Sequence, residues 1–544
     1  MLGPGRDSLE VMAKINPQYD VVIIGGGHNG LVSAAYLARG GLRVVVLERR
    51  DILGGAAATE EVFPGFRFDT GAQTAGMLRP EVERELGLAD HGLRRFESPI
   101  RCASLLGPDS ALLFWRQPER AGRELARFSK PDAERYPVFL RQFGKLAGGL
   151  DRAIGLAPPA LPPSLSALRG WARVAVGIRL LGRSGMMELL RTIPLSAENL
   201  LDEWFESGPV KGALGSLAVA GSALGPKAPG TAFTLLYLGA PGLPRTASFV
   251  RGGTGQLSEA LARAAQAKGA EIRTGEPVVR ILLDDGRAVG VELRNGKQIR
   301  ASVVASSADP RSTLFDLVGA SQLEVRVVRR VRNIRFRGTT ARVNLALERL
   351  PDFPAIKDPA GLTGHLLVCP DLDYLERAFD DSKYGQFSQR PTLDMTIPTL
   401  HDPSLAPAGK HILTITMQYA PYRLRDSSWD AERDRLGDRI VALVAEHAPD
   451  LPGLIAHRQV LTPLDYEREY GLPEGSIYHG QMGLDQLASL RPIPGYGSYR
   501  SPVPGLFFCG AGAHPGGGVS GAPGRNAARQ ILREFRRRRR PAPV

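Results

Sequence analysis

The sequence predicts an α/β fold: a dinucleotide-binding sheet assembled from discontinuous segments, with an α+β domain inserted between them. Three observations predict it. An apolar run, Val21 to Ile24, leads directly into Gly25, Gly27 and Gly30, spaced Gly-x-Gly-x-x-Gly. A second apolar run, Val44 to Leu47, ends on Glu48, 21 residues after Gly27. A further strand, glycine loop and helix close the far end of the chain, from Gly505 onward.

A continuous apolar run marks a strand buried on both faces of a parallel sheet. Gly25 then permits a tight turn, Gly27 leaves room for a pyrophosphate against the backbone, and Gly30 lets the following helix pack closely. That helix, predicted to run to Ala38, turns its free N–H groups and positive dipole end toward the phosphates. Glu48 stands where a carboxylate accepts hydrogen bonds from a ribose. The bland alternative is a fortuitous glycine turn beside a solvated Glu48. It would leave the strand–turn–helix–strand–acid order unexplained. Arg49 and Arg50 follow, and then Gly54, Gly55 and Ala56, a second point of close backbone approach.

The 544 residues, 43% of them apolar, are enough for a large core and by length alone for three or four domains. No apolar run approaches the roughly 18–20 residues of a membrane span. Residues 1–17 contain Pro4, Asp7 and Glu10 and no apolar stretch, which excludes a secretory signal and predicts an unstructured segment. Cys102, Cys369 and Cys509 are far apart and form no Cys-x-x-Cys, so neither a zinc site nor a redox disulfide is indicated and a reducing compartment fits. The nine histidines show no ligand spacing, and no metal is expected. Net charge is +13. Only 10 of the 69 basic residues are Lys, and six arginines fall within residues 533–540. Phe535 is the one aromatic residue in that span, and no aromatic residues alternate with the arginines of the tail, which argues against a nucleic-acid module. The basic segment 536–544 reads as a solvated tail or as a contact for anionic lipid.

Along the chain, residues 18–93, 245–321 and 496–535 form the dinucleotide-binding domain. Residues 94–244 and 322–495 form the inserted substrate domain. A helical region begins at Lys130, and no acid occurs between Asp151 and Glu188. In that window Leu165, Leu168, Trp171, Ala172, Ala175, Ile178 and Leu181 recur at helical spacing among arginines, while Gly170 and Gly177 weaken the pattern. Two readings stay open for it: a helix in a membrane interface, or one roofing the protein's own core. A glycine loop at 252–255 leads into a helix, and Pro277–Leu283, Ala288–Leu293 and Ser302–Ser306 read as a meander of strands with turns at Gly286 and Asn295-Gly296. Residues 322–495 carry no motif that names a chemistry. At the end, Gly505 to Cys509 is a strand, Gly510 to Gly518 a loop rich in free N–H groups, and Gly521 to Arg536 a helix. Such a loop suits a ligand that accepts from backbone donors, as a reduced flavin does around N1 and O2.

Taken together, these residues resemble the phytoene desaturase-like superfamily of FAD-dependent oxidoreductases. The likeness is nearest to the branch of pyridine nucleotide-disulphide oxidoreductase domain-containing protein 2, with desaturase-like carotenoid ketolases nearby. It covers nearly the whole chain and rests on Gly25 to Leu31, Leu47 to Arg50, Gly54 to Ala57, Thr59 to Glu61, Leu201 to Glu206, Leu484 to Gln486, Ala513 to Gly518 and Gly524 to Ala528. The resemblance implies a Rossmann-like FAD-binding domain of glutathione-reductase and amine-oxidase type. It implies that Glu48 takes the adenosine ribose and that Gly25, Gly27 and Gly30 take the pyrophosphate. Arg49, Arg50, Gly54, Gly55 and Ala56 would line the path toward the flavin. Val278 would meet adenine through its backbone, and Gly510, Ala511, Gly518 and Val519 would hold the isoalloxazine. It also implies a mitochondrial matrix location were the source eukaryotic; otherwise a cytoplasmic enzyme is expected, peripheral to the membrane if the basic segments bind lipid. The absence of Cys-x-x-Cys counts against a thiol-relay reductase.

No catalytic residue is assigned. His514, before Pro515, is the one candidate proton donor, with a structural role as the competing reading. His28 shapes the phosphate turn, Tyr478 and His479 belong to a polar loop, and Arg525 and Asn526 cap the last helix or meet a carboxylate. The expectation is an FAD-dependent desaturase, dehydrogenase or double-bond isomerase acting on a hydrophobic, isoprenoid or lipid small molecule. Oxygen, a quinone or another protein would accept the electrons, since no second dinucleotide fingerprint occurs. A flavin amine oxidase and a flavin-bearing regulatory protein with little turnover are the alternatives.

Overall fold

In a computed structural model, residues 18–158, 171–172, 175–176, 179–239 and 247–538 are described. Two seven-stranded sheets organise them. The first begins with Tyr19–Ile24, whose Val21, Val22 and Ile23 are wholly buried because both faces of the strand are covered. Parallel partners flank it: Val44–Leu47 on one side and Gln298–Ser306 on the other. Glu271–Arg273 and Leu506–Phe508 extend the parallel pairing. Val278–Asp284 and Arg287–Leu293 form the antiparallel meander, with Gly286 and Gly296 at positive φ in its turns. Strands from residues 18–93, 245–321 and 496–535 thus lie in one sheet. Helix His28–Arg39 packs between Gly255–Gln266 and Ala522–Arg538.

The second sheet takes its order from Ile455–Leu461, Thr340–Leu347, His411–Gln418, Leu393–Thr396, His365–Val368, Ile100–Gly107 and Ser110–Trp115. Residues 94–244 and 322–495 therefore meet in one sheet, antiparallel except where His365–Val368 pairs with Ile100–Gly107. Its strands alternate. Leu413, Ile415 and Met417 are fully buried in the larger apolar core with Phe114, Phe139 and Phe205, while Thr414, Thr416 and Gln418 point to the opposite face. A two-strand ribbon, Arg95–Glu97 with Ser248–Val250, lies where the chain leaves and re-enters the first domain.

Two features differ from the sequence reading. Helix Ala522–Arg538 continues into the arginine run, so residues 536–538 are helical rather than tail, and 539–544 lie outside the described residues. In the amphipathic window, Leu165, Leu168 and Ile178 also lie outside them. Trp171 Nε1 donates to Ala157 O at 3.0 Å, whereas Val176 and Leu180 are 57% and 78% exposed. A second helix, Gly182–Thr192, follows, with Met187 and Leu190 exposed as well. Among the described residues no helix is long and apolar enough to cross a membrane.

Candidate active site

The two sheets face each other across a cavity of about 580 Å³, within the usual range for a small-molecule site. Gly25, Gly27, Glu48, Arg49, Arg50, Gly54, Gly55, Ala56, Val278, Ala511, Gly518 and Val519 line it. Gly30 and Gly510 do not. A Cβ on Gly30 would stand 2.2 Å from Gly25 O, and one on Gly510 2.1 Å from Ser307 O, so these two glycines hold backbones in contact behind the wall. Around the position of a Cβ on Gly27 the nearest atom is Gly54 O, at 3.9 Å, which leaves open space at the helix N-terminus.

Glu48 is 6% exposed. Its Oε2 accepts from Gly26 N at 2.7 Å and its Oε1 from Arg50 N at 2.9 Å, so one carboxylate ties the glycine turn to the second strand's end. Gly27 and Gly54 pair as an isolated bridge, which brings the two glycine turns side by side. Arg50 is held by Glu60 Oε2 at 2.7 Å and lies 4.9 Å from the Tyr470 ring centre.

These residues fit FAD. Helix His28–Arg39 has no side-chain cap and no acid in its first turn, so its N–H groups are available to a phosphate. Among the cavity-lining residues on the glycine-turn side, three buried atoms have no hydrogen-bond partner within the protein: His28 Nε2, Asn29 Oδ1 and Arg50 Nη1. Buried polar atoms are ordinarily paired, and a polar cofactor supplies what these lack. Burial holds His28 down to about 4 and, with the Arg491 charge and His28 adding to it, holds His479 down to about 3. Both rings are neutral at pH 7 and offer hydrogen bonds without charge.

His514, the candidate proton donor, does not line the cavity. It is buried, its Nε2 lies 3.3 Å from Ala153 O, and burial holds it down to about 4. Arg525 pairs with Glu85, and Asn526 Nδ2 donates to Ile154 O, so both bind helices together rather than meet a ligand. Behind the wall Arg491 is 2% exposed and donates to the carbonyls of Tyr478, Gly480, Gln481, Gln486 and Ala511, clamping the 478–481 loop to the last glycine loop.

The opposite wall is not evident from sequence. Thr340, Arg342, Leu367, Thr392, Leu393, Asp394, Thr416, Gln418, Tyr466, Tyr470, Leu472, Ile477, Tyr478 and His479 complete the cavity. The period-two alternation of Leu413 to Gln418 and of Arg342 to Leu345 is the available signal. It shows which side chains share a face but not which strands are neighbours.

A dinucleotide-binding sheet facing a second, mostly antiparallel sheet across one cavity defines an FAD-dependent oxidoreductase of amine-oxidase architecture. Residues 30–532 match the family of flavin containing amine oxidoreductases, and the chain belongs to it. It is 36% identical to pyridine nucleotide-disulfide oxidoreductase domain-containing protein 2 of Rattus norvegicus, over 96% of this chain and 94% of that one. It is 29% identical to a component of the limonene dehydrogenase of Castellaniella defragrans, over 95% of both chains. It is 27% identical to the zeta-carotene-forming phytoene desaturase of Myxococcus xanthus, over 92% and 90%. Its fold is similar to that of cyclohexylamine oxidase from Brevibacterium oxydans, with a TM-score of 0.57 over 96% of this chain and 100% of the other, at 16% identity.

Proposed function

We propose that the enzyme desaturates, dehydrogenates or isomerises a hydrophobic small molecule of isoprenoid or lipid type. The observation that carries this reading is the apolar part of the second wall, where Leu367, Leu393, Leu472 and Ile477 close the cavity opposite the flavin loops. Two relatives named for limonene and for phytoene support it. The flavin, when bound, accepts hydride; the chain's own part is to orient the substrate against it and to keep water out. Burying apolar substrate surface here contributes roughly 25 cal/mol per Å². Anaerobic titration of the yellow protein with candidate isoprenoids, fatty acids and amines tests the reading. Bleaching of the flavin by an isoprenoid or lipid is the expected result, and bleaching by amines alone overturns it.

This chemistry suits a membrane surface. Val176, Leu180 and Met187 expose apolar side chains beside Arg179 and Arg183, in a stretch with no acid between Asp151 and Glu188, and Leu190 is exposed just beyond Glu188. An apolar face flanked by basic residues binds anionic lipid reversibly, and more weakly as salt rises. The intact protein should float with anionic vesicles at low salt, and the double variant Leu180→Asp, Leu190→Asp should not. No flotation of the intact protein ends the membrane proposal and leaves the substrate reading untouched.

A further inference from the structure

The second wall is polar where a hydrocarbon site would be apolar. Three adjacent strands, Thr340–Leu347, His411–Gln418 and Leu393–Thr396, turn one face toward the cavity. In register across them stand Arg342, Thr416 and Asp394, and one row further Asn344, Thr414 and Thr396. Arg342 is 4% exposed. It donates to Asp69 O and, at 3.3 Å, to Thr416 Oγ1, while its Nε has no partner. Four more buried atoms beside it lack one: Asn344 Oδ1 and the hydroxyls of Thr392, Thr396 and Thr414.

A buried guanidinium requires an anion, and a fork of donors matches a carboxylate. Of the protein's own carboxylates at this end, Asp69 feels the Arg342 charge, but burial raises its pKa to about 6 and Arg342 donates to its backbone oxygen rather than to its carboxylate. Asp69 Oδ1 accepts from Thr59 Oγ1 and from Thr254 N and Oγ1, and Asp394 Oδ1 pairs with His365 Nδ1 at 2.8 Å. A hydrocarbon filling the cavity against Arg342 would leave its buried charge unanswered.

We infer that Arg342 receives a carboxylate of the substrate, so that the enzyme takes an apolar molecule ending in an acid. The inference rests on the hydrophobic-substrate reading and narrows it: the apolar body lies along Leu367 and Leu393 and the acid reaches Arg342. A cationic amine would be repelled from the same place.

Decanoate, decan-1-ol and decylamine, titrated separately into the FAD-loaded protein and followed by the visible spectrum of the bound flavin, test it. Decanoate should perturb the spectrum with at least tenfold lower Kd than decanol, and decylamine should not perturb it at all. Arg342→Gln should bring decanoate to the affinity of decanol without loss of flavin, and Arg342→Lys should keep part of the preference. Equal affinity of acid and alcohol in the unaltered protein, an arm that needs no variant, overturns the carboxylate and leaves the hydrophobic reading standing. A response to decylamine alone overturns both.

Discussion

The cavity's two walls recognise by different means: the first sheet offers main chain, the second offers side chains. On the first wall Gly25, Gly27, Gly54 and Gly55 expose backbone, and Glu48 spends its oxygens on Gly26 N and Arg50 N to fix that backbone in place. On the second wall Arg342, Asp394 and Thr416 project from three strands whose neighbourhood exists only after folding. Main-chain recognition leaves no room for an added atom and serves an invariant cofactor. Side-chain recognition can be altered one residue at a time, as a substrate site requires. Substitutions on the first wall should therefore cost colour, and those on the second should spare it.

The largest effect belongs to Gly30→Ala. The new Cβ would sit 2.2 Å from Gly25 O, a backbone atom that cannot yield without moving the phosphate turn. The purified variant should retain less than a hundredth of the wild-type flavin, read from absorbance after denaturation. A yellow Gly30→Ala protein would show the turn to be more compliant than the packing allows. Next is Glu48→Ala, which leaves Gly26 N and Arg50 N without their acceptor. Hydrogen bonds to charged groups contribute about 1.5–3 kcal/mol each, so FAD dissociation should be at least tenfold easier by equilibrium titration. Unchanged retention would reduce Glu48 to a strand end.

Leu367→Trp tests the other side. Leu367 is wholly buried on the second wall, and an indole there fills space beyond the flavin loops. The variant should stay yellow while anaerobic bleaching by a hydrophobic substrate slows roughly tenfold, a loss of about 1.4 kcal/mol in transition-state binding. Loss of flavin together with bleaching would mean that the walls are not separable.

The same division explains what was legible. The first domain reads from the sequence because each of its signals is local: strand, Gly25-x-Gly27-x-x-Gly30 and helix lie within about twenty residues, and Glu48 follows at a fixed distance. Even its three-part assembly could be inferred, since the meander at 277–306 and the strand at 505–509 are each bounded by glycine turns. The second wall could not be read, because Arg342 meets Thr416 and Asp394 by register and nothing near any of them in sequence specifies that pairing. His514 draws notice in the sequence for its place beside a glycine loop, and the fold turns its ring onto Ala153 instead. His479, at φ +54 on a loop clamped by Arg491, reaches the cavity, as does His28.

The buried histidines give the smallest effect and compare the walls directly. His28 stands on the first, His479 on the second, and His514 behind both. Burial depresses all three, to about 4, about 3 and about 4. A histidine held neutral in the folded state contributes stability that is whole above its unfolded value near 6.5 and is lost as pH falls toward the folded value, because the unfolded chain takes up the proton first. Between pH 7 and 5.5 each such group should withdraw about 1 kcal/mol. Denaturant midpoints followed across that range should fall, and His479→Asn should remove about one group's share of the slope while the protein stays yellow. His28→Asn should remove a similar share and also loosen the flavin, since its ring lies in the phosphate turn. If His479→Asn costs as much flavin as His28→Asn, the 478–481 loop belongs to the cofactor wall and the boundary between the two must be redrawn there.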